Sequence, residues 1–304
     1  MKLKSGYRKT MPRDGNDLLD CGDYYIKSSI SEQKILSEIE FYQQLPQSMN
    51  AYFPSFLGVS NKGRWTTGYK IKKIKDYDAS VYFVYAEDDS EKSDYFKRLI
   101  HLLEKFFIDI PKKAAIAKNI ALIDFIKIRD LERIPRISNL SNVTALNEII
   151  SLHNFSHFFE FAQAIQLQMQ KLSNHSDAED LFFGHGDLCL SNIILEDGKL
   201  FLIDPRGNKD KDHFMSPYYD FAKLSQCFFG GYDFINHAET LEGFKPAYKS
   251  EFTNLAQQFN LNLKLIRCVE ASHFLTMLPL HAEAPKKCLL FLKQALRAFE
   301  SSHD

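Results

Sequence analysis

Asp187, Asn192 and Asp204 are the side chains whose types and spacing best support chemistry. They fall in Gly184-His185-Gly186-Asp187-Leu188-Cys189-Leu190-Ser191-Asn192-Ile193-Ile194-Leu195-Glu196-Asp197-Gly198-Lys199-Leu200-Phe201-Leu202-Ile203-Asp204-Pro205-Arg206-Gly207. Asp197-Gly198 lies between two apolar runs, and both residue types tolerate φ > 0, so the spacing predicts a tight β-hairpin. With that turn, Glu196 pairs with Lys199, Leu195 with Leu200 and Ile193 with Leu202. Asn192 then lies opposite Ile203, and Asp204 emerges one step beyond. Facing positions on paired strands are only about 4.5–5.5 Å apart. An amide oxygen and a carboxylate thus reach the same end of one rigid element. Two oxygen ligands that leave room for water and phosphate suit Mg²⁺. Asp187, on the preceding loop, is placed to accept a proton from an attacking hydroxyl. Singly, Asn and Asp at such positions are ordinary turn formers. Jointly they point to phosphoryl transfer.

Upstream, the first ninety or so residues read as short strands around one helix. Asp23-Tyr24-Tyr25-Ile26-Lys27 is β-rich. Residues 31–45 predict a helix, with Ser31 as N-cap, Ile35, Ile39, Tyr42 and Leu45 at helical spacing, and Pro46 ending it. Residues 56–60 and 65–74 suit a β-hairpin joined at Asn61-Lys62-Gly63, whereas 82–85 is too short to assign. From about residue 93 the pattern turns helical, with apolar periodicity over 95–108, 145–172, 252–261 and 286–299. No internal repeat, low-complexity tract or Gly/Ser linker interrupts it. A small α+β lobe followed by a larger, mainly helical lobe is expected, with the boundary near residues 75–92.

The 304 residues can hold one large domain or two modest ones. With 45% hydrophobic and 25% charged residues, the chain reads as a soluble globular protein. A formal net charge of −1 gives no global attraction to nucleic acid or to an anionic membrane, so neither partner is expected. The N-terminal lysines precede no apolar run, so no signal peptide is expected, and no stretch is apolar enough to span a bilayer. The cysteines (Cys21, Cys189, Cys227, Cys268, Cys288) are scattered and form no Cys-x-x-Cys, which argues against a disulfide framework and for a cytoplasmic setting.

His185-Gly186-Asp187, four intervening residues, Asn192, and then Ile203-Asp204 resembles the catalytic signature of the aminoglycoside phosphotransferase and choline kinase families. Protein kinases carry His-Arg-Asp-(x4)-Asn and Asp-Phe-Gly at the matching places. The resemblance implies an α+β, two-lobed protein-kinase-like fold. Its small N-terminal lobe has an antiparallel sheet and one helix, and its larger C-terminal lobe is mainly helical. Residues 1–78 would form the nucleotide-binding lobe and 79–304 the catalytic and substrate-binding lobe. The implied activity is transfer of the γ-phosphoryl group of ATP, with Mg²⁺, to a hydroxyl of a small molecule such as a sugar, polyol, amino alcohol or aminoglycoside-like compound.

By the same resemblance, Asp187 is the catalytic base or hydroxyl-positioning group, Asn192 and Asp204 hold Mg²⁺, and His185 braces the loop. Lys27 matches the strand lysine that meets the triphosphate, and Glu38 its helical partner, with Glu40 the alternative; the two glutamates point about 200° apart on a helix, so only one can face Lys27. Asp220, in Tyr218-Tyr219-Asp220-Phe221, resembles the Asp that opens a helix after the metal site and supports the catalytic loop; an N-cap role would also explain it. Arg206 either meets an anionic substrate or transferred phosphate, or pairs with a nearby carboxylate. Lys127, Arg129, Arg133 and Arg136 form a basic stretch that reads as a solvated helical face or a contact for an anionic acceptor. Asp-Pro-Arg-Gly together with Met277-Leu278-Pro279-Leu280-His281 resembles a phosphotransferase-like group linked to bacterial surface-polysaccharide synthesis. No Gly-x-Gly-x-x-Gly precedes Lys27, so the nucleotide clamp is unassigned. Two alternatives stand beside this reading. A protein kinase is disfavoured by Gly186 and by the lack of Ala-Pro-Glu, and a non-catalytic nucleotide-binding protein by the presence of all the key residues. ATP over GTP and the oligomeric state are left open.

Overall fold

The computed structural model describes residues 3, 15–114, 131–173, 180–206, 212–244 and 248–303. Contacts group them into two units, Met1–Lys112 with Phe182–Phe214, and Lys113–Leu181 with Met215–Asp304. The strands are β1 (Asn16–Asp20), β2 (Tyr24–Ser29), β3 (Phe56–Ser60), β4 (Gly68–Lys72), β5 (Lys112–Ala114), β6 (Asp180–Phe183), β7 (Ile193–Glu196), β8 (Lys199–Leu202) and β9 (Phe214–Met215). The helices are α1 (Glu32–Gln44), α2 (Ala79–Tyr85), α3 (Asp89–Asp109), α4 (Val143–Leu152), α5 (Phe158–Ser173), α6 (Pro217–Phe228), α7 (Tyr232–Ala238), α8 (Lys249–Gln258), α9 (Leu263–Met277) and α10 (Pro285–Glu300).

In the first unit an antiparallel sheet of order β1-β2-β4-β3 carries α1. The register sets Lys27 opposite Tyr69. Gly68 is needed beside that pair, because a Cβ there would lie 2.7 Å from the Lys27 carbonyl oxygen. Helix α1 starts at Ser31, though no side-chain cap bond forms, and stops before Pro46, where the residue ahead of proline is driven from the helical region. It buries Ile35, Glu38, Ile39, Phe41 and Tyr42. Residues 82–85, unassigned from sequence, are helical in α2. The cause is Asp78, whose carboxylate accepts from the Ser80 and Val81 amides at 3.1 and 3.3 Å and so satisfies first-turn donors. Asp88 caps α3 in the same way. The β3–β4 connection runs over 61–67, longer than the three-residue turn expected.

The second unit is helical. Its centre is α9, whose residues are buried almost throughout from Leu265 to Met277 and which packs against α5, α6 and α10. Its buried polar residues are paired within the unit, Glu270 with Arg267 and Ser225, and Thr276 with the His273 carbonyl. The periodic stretch 145–172 is two helices rather than one. Asn154 takes φ +64 after α4, a left-handed termination that Asn tolerates, and the chain restarts as α5. Lys127 and Arg129 lie outside the described residues, and Arg136 is exposed on the 3₁₀ turn Leu131–Asn139. No helix among the described residues is long and apolar enough to cross a membrane.

Candidate active site

The 184–206 segment folds as the sequence dictates. Asp197 and Gly198 take φ +50 and +73, the two positive angles of a primed hairpin turn, and β7 pairs with β8 in the expected register from Glu196↔Lys199 to Ile193↔Leu202. The Ile203 amide donates to the Asn192 carbonyl at 3.0 Å, carrying the pairing one step past β8. Asp204 follows at φ +57, a left-handed conformation that Asp tolerates better than most residues and that recurs at functional sites.

The loop ahead of the hairpin is knitted by its own polar groups. The Asp187 carbonyl accepts from the Cys189 amide at 2.9 Å and from Asn192 Nδ2 at 2.8 Å. His185 ties the two arms of the segment together. Its Nδ1 accepts from the Asp187 amide at 3.2 Å, its Nε2 donates to the Ile203 carbonyl at 2.9 Å, and its own carbonyl accepts from the Arg206 amide at 2.7 Å. An imidazole that accepts at one nitrogen and donates at the other is neutral. Burial, against the pull of Asp187, holds the His185 pKa down at about 4. Arg206 Nη2 stands 3.2 Å from Asp187 Oδ2.

Beside the hairpin, Lys27 Nζ lies 2.8 Å from Glu38 Oε2 and 2.6 Å from Asp204 Oδ1. Lys27 and Glu38 are buried, at 4% and 1% exposure. The Tyr69 hydroxyl donates to Glu38 Oε2 at 2.8 Å, and Lys34 Nζ is 3.8 Å from Glu38 Oε1. Burial by itself lowers the Lys27 pKa, but Asp204 and Glu38 together outweigh it and hold the ammonium above its ordinary pKa. Burial likewise opposes charge on Asp204, and Lys27 overcomes it, so the carboxyl stays below the usual carboxylate range. Burial, aided by repulsion from Lys27, lowers the Lys34 pKa. Asp204 keeps 42% of its side chain open to solvent.

The donor set fits a hard divalent cation. Asn192 commits its Nδ2 to the Asp187 carbonyl, which leaves the amide oxygen as the atom able to ligate. Lys27 engages Oδ1 of Asp204, leaving Oδ2. Few protein oxygens with space for phosphate and water is the usual environment of Mg²⁺.

No protein-family model matches the sequence, and no curated protein matches it. Solved structures do. A thermostable mutant of aminoglycoside phosphotransferase APH(4)-Ia aligns over 99% of this chain and 94% of its own, at 10% identity and a TM-score of 0.57. A choline/ethanolamine kinase family protein from Mesorhizobium loti aligns over 99% and 90%, at 11% identity and a TM-score of 0.56. A glucosamine kinase in complex with glucosamine, ADP and inorganic phosphate aligns over 97% and 76%, at 11% identity and a TM-score of 0.55. This chain has the kinase-like fold.

Within the kinase-like fold, the structure brings Lys27, Glu38 and Asp204 into contact, sets Asp187 and Asn192 on one hydrogen-bonded loop, and joins Arg206 to Asp187. The carboxylate pair expected as one option for Arg206 forms with Asp187. Glu40 is not beside Lys27; it accepts from Gln44 Nε2 at 3.2 Å, as its position two residues round the helix requires. The N-cap role that would also have explained Asp220 is overturned. Asp220 is buried in the first turn of α6, but the N-cap is Ser216, because Pro217 begins the helix. The β1–β2 connection that precedes Lys27 is Cys21-Gly22-Asp23, with a single glycine. Tyr69 and Lys34 were missed as partners of Glu38. Lys34 stands one helical turn before it and was legible from i,i+4 spacing, whereas Tyr69 depends on the β2–β4 register.

Proposed function

We propose that this protein is an ATP- and Mg²⁺-dependent phosphotransferase that phosphorylates a hydroxyl of a small molecule. Solved structures sharing its fold are small-molecule phosphotransferases, among them aminoglycoside, choline/ethanolamine and glucosamine kinases. The observation that carries the reading is the Lys27 ammonium held by Glu38 and in contact with Asp204, on the same segment as Asp187 and Asn192. ATP and Mg²⁺, when bound, supply the phosphoryl group and neutralise its charge. Asn192 and Asp204 would hold the metal through oxygen. Lys27, fixed by the buried Glu38, meets phosphate oxygens without having to be ordered on binding. Asp187 orients the acceptor hydroxyl and takes its proton, an effect worth about 10²–10⁴ in rate. Arg206 holds the Asp187 carboxylate in place, and His185, neutral at working pH, locks the loop to the hairpin.

In this reading residues 1–78 form the nucleotide-binding lobe and 79–304 carry catalysis and acceptor binding, in the cytoplasm. The Asp-Pro-Arg-Gly and Met277–His281 features favour a sugar, sugar derivative or polyol as acceptor. The test is transfer of label from γ-³²P-ATP across a panel of sugars, polyols, amino alcohols and aminoglycosides, beside a peptide panel. A labelled small molecule that disappears with Asp187→Asn supports the proposal. Label on peptides alone, or transfer undiminished by Asp187→Asn, overturns it.

A further inference from the structure

The helical unit contains a cleft built from residues that the proposed phosphoryl transfer does not use. A cleft of about 680 Å³ is lined by the C-terminal half of α10, by Arg267 of α9, and by Phe229 and Phe244. That volume is of the size that takes a small organic ligand. Its charge is unbalanced. Lys293 and Arg297, one helical turn apart on α10, are both exposed, and neither has an ion pair among the described residues. Glu300, the only carboxylate on the lining, stands 2.9 Å from His153 Nδ1. Arg267 is anchored through Nη1 by Glu270, and its guanidinium lies 5.3 Å from the Phe229 ring centroid, which leaves further N–H donors on the cation.

Gln294 adds an independent sign. It lines the cleft at 3% exposure, and its amide Nε2 has no hydrogen-bond partner. A buried amide left unpaired is destabilising; Nε2 is sealed from solvent in the unbound chain, so Gln294 must turn toward the cleft before an acceptor oxygen from outside the chain can complete it.

We propose that this cleft binds a small organic anion, a phosphate or carboxylate joined to a flat apolar body. Lys293, Arg297 and Arg267 meet the anionic head, Gln294 donates to one of its oxygens, and Phe229 and Phe244 take the apolar part. The site stands independently of the phosphotransferase reading.

Phenyl phosphate is a suitable probe, titrated calorimetrically beside inorganic phosphate and phenol. Phenyl phosphate is expected to bind with a Kd below about 1 mM at low ionic strength and to weaken as salt screens the cations. Lys293→Ala/Arg297→Ala, both at exposed positions, should weaken binding tenfold or more, and Gln294→Leu severalfold. Asp204→Ala should leave it unchanged. Absence of saturable binding, equal affinity in the double variant, or loss of binding in Asp204→Ala would each overturn the proposal. So would phenol or inorganic phosphate binding as tightly as phenyl phosphate.

Discussion

Lys27 stands between two carboxylates, and its removal acts on folding as well as on nucleotide. Lys27→Met leaves Glu38, at 1% exposure, without its nearer cation and with only Lys34 at 3.8 Å, and stripping one partner from a buried pair costs about 3–5 kcal/mol. Asp204 is 42% exposed, so solvent screens its share. Differential scanning fluorimetry should show a fall in Tm on the order of 10 °C, and an unchanged Tm would mean the pair is not formed. Tyr69→Phe removes only the hydrogen bond to Glu38 and should cost about 1 kcal/mol. His185 gives a pH signature. Its folded pKa of about 4 lies below the ordinary value of roughly 6.5, so between those limits the unfolded chain binds more protons. Its contribution is therefore present above about pH 6.5 and is lost as pH falls toward 4. Urea unfolding of His185→Asn at pH 7 and pH 5 should show a smaller loss on acidification than the wild type; equal losses would contradict the neutral, buried assignment. At this scale the roles suggested for Asp187, Asn192 and Asp204 rest on types and spacing readable in one short segment. The Arg206–Asp187 pair was readable only as one of two options, because which carboxylate an arginine reaches depends on how the segment folds back through His185.

The Asp197-Gly198 hairpin is the element that sets Asn192, just before β7, and Asp204, just after β8, at the same end of two paired strands. Gly198 has φ +73, and nothing lies within 4 Å of where its Cβ would be. Gly198→Ala therefore tests backbone strain alone and should destabilise by about 1 kcal/mol. Gly186, at φ +76 inside the Asp187 loop, is under the same constraint, so Gly186→Ala should reduce phosphoryl transfer through misplacement of Asp187. A kinetic assay showing full activity would place the catalytic groups elsewhere. Elements bounded by local chemistry were legible: α1 between Ser31 and Pro46, and β7–β8 around their turn. Two others were not. Helix α2 depends on capping by Asp78 more than on the periodicity of its few residues, and the stretch 145–172 breaks at Asn154, which helical periodicity of apolar residues does not reveal.

Over the whole molecule, the kinase-like fold was legible because a short, specific motif lies downstream of a strand-and-helix pattern. The acceptor was not legible, since no motif in the helical region names it. The central claim is that Asp204 and Asn192 make a metal-dependent nucleotide site beside Lys27. Its most direct test is calorimetric titration of ATP with and without Mg²⁺, on wild type and on Asp204→Asn, with folding of the variant checked by circular dichroism. The account predicts wild-type binding tightened at least tenfold by Mg²⁺, and loss of that gain in the folded variant. ATP affinity indifferent to Mg²⁺, or a Mg²⁺ effect of equal size in Asp204→Asn, would contradict it.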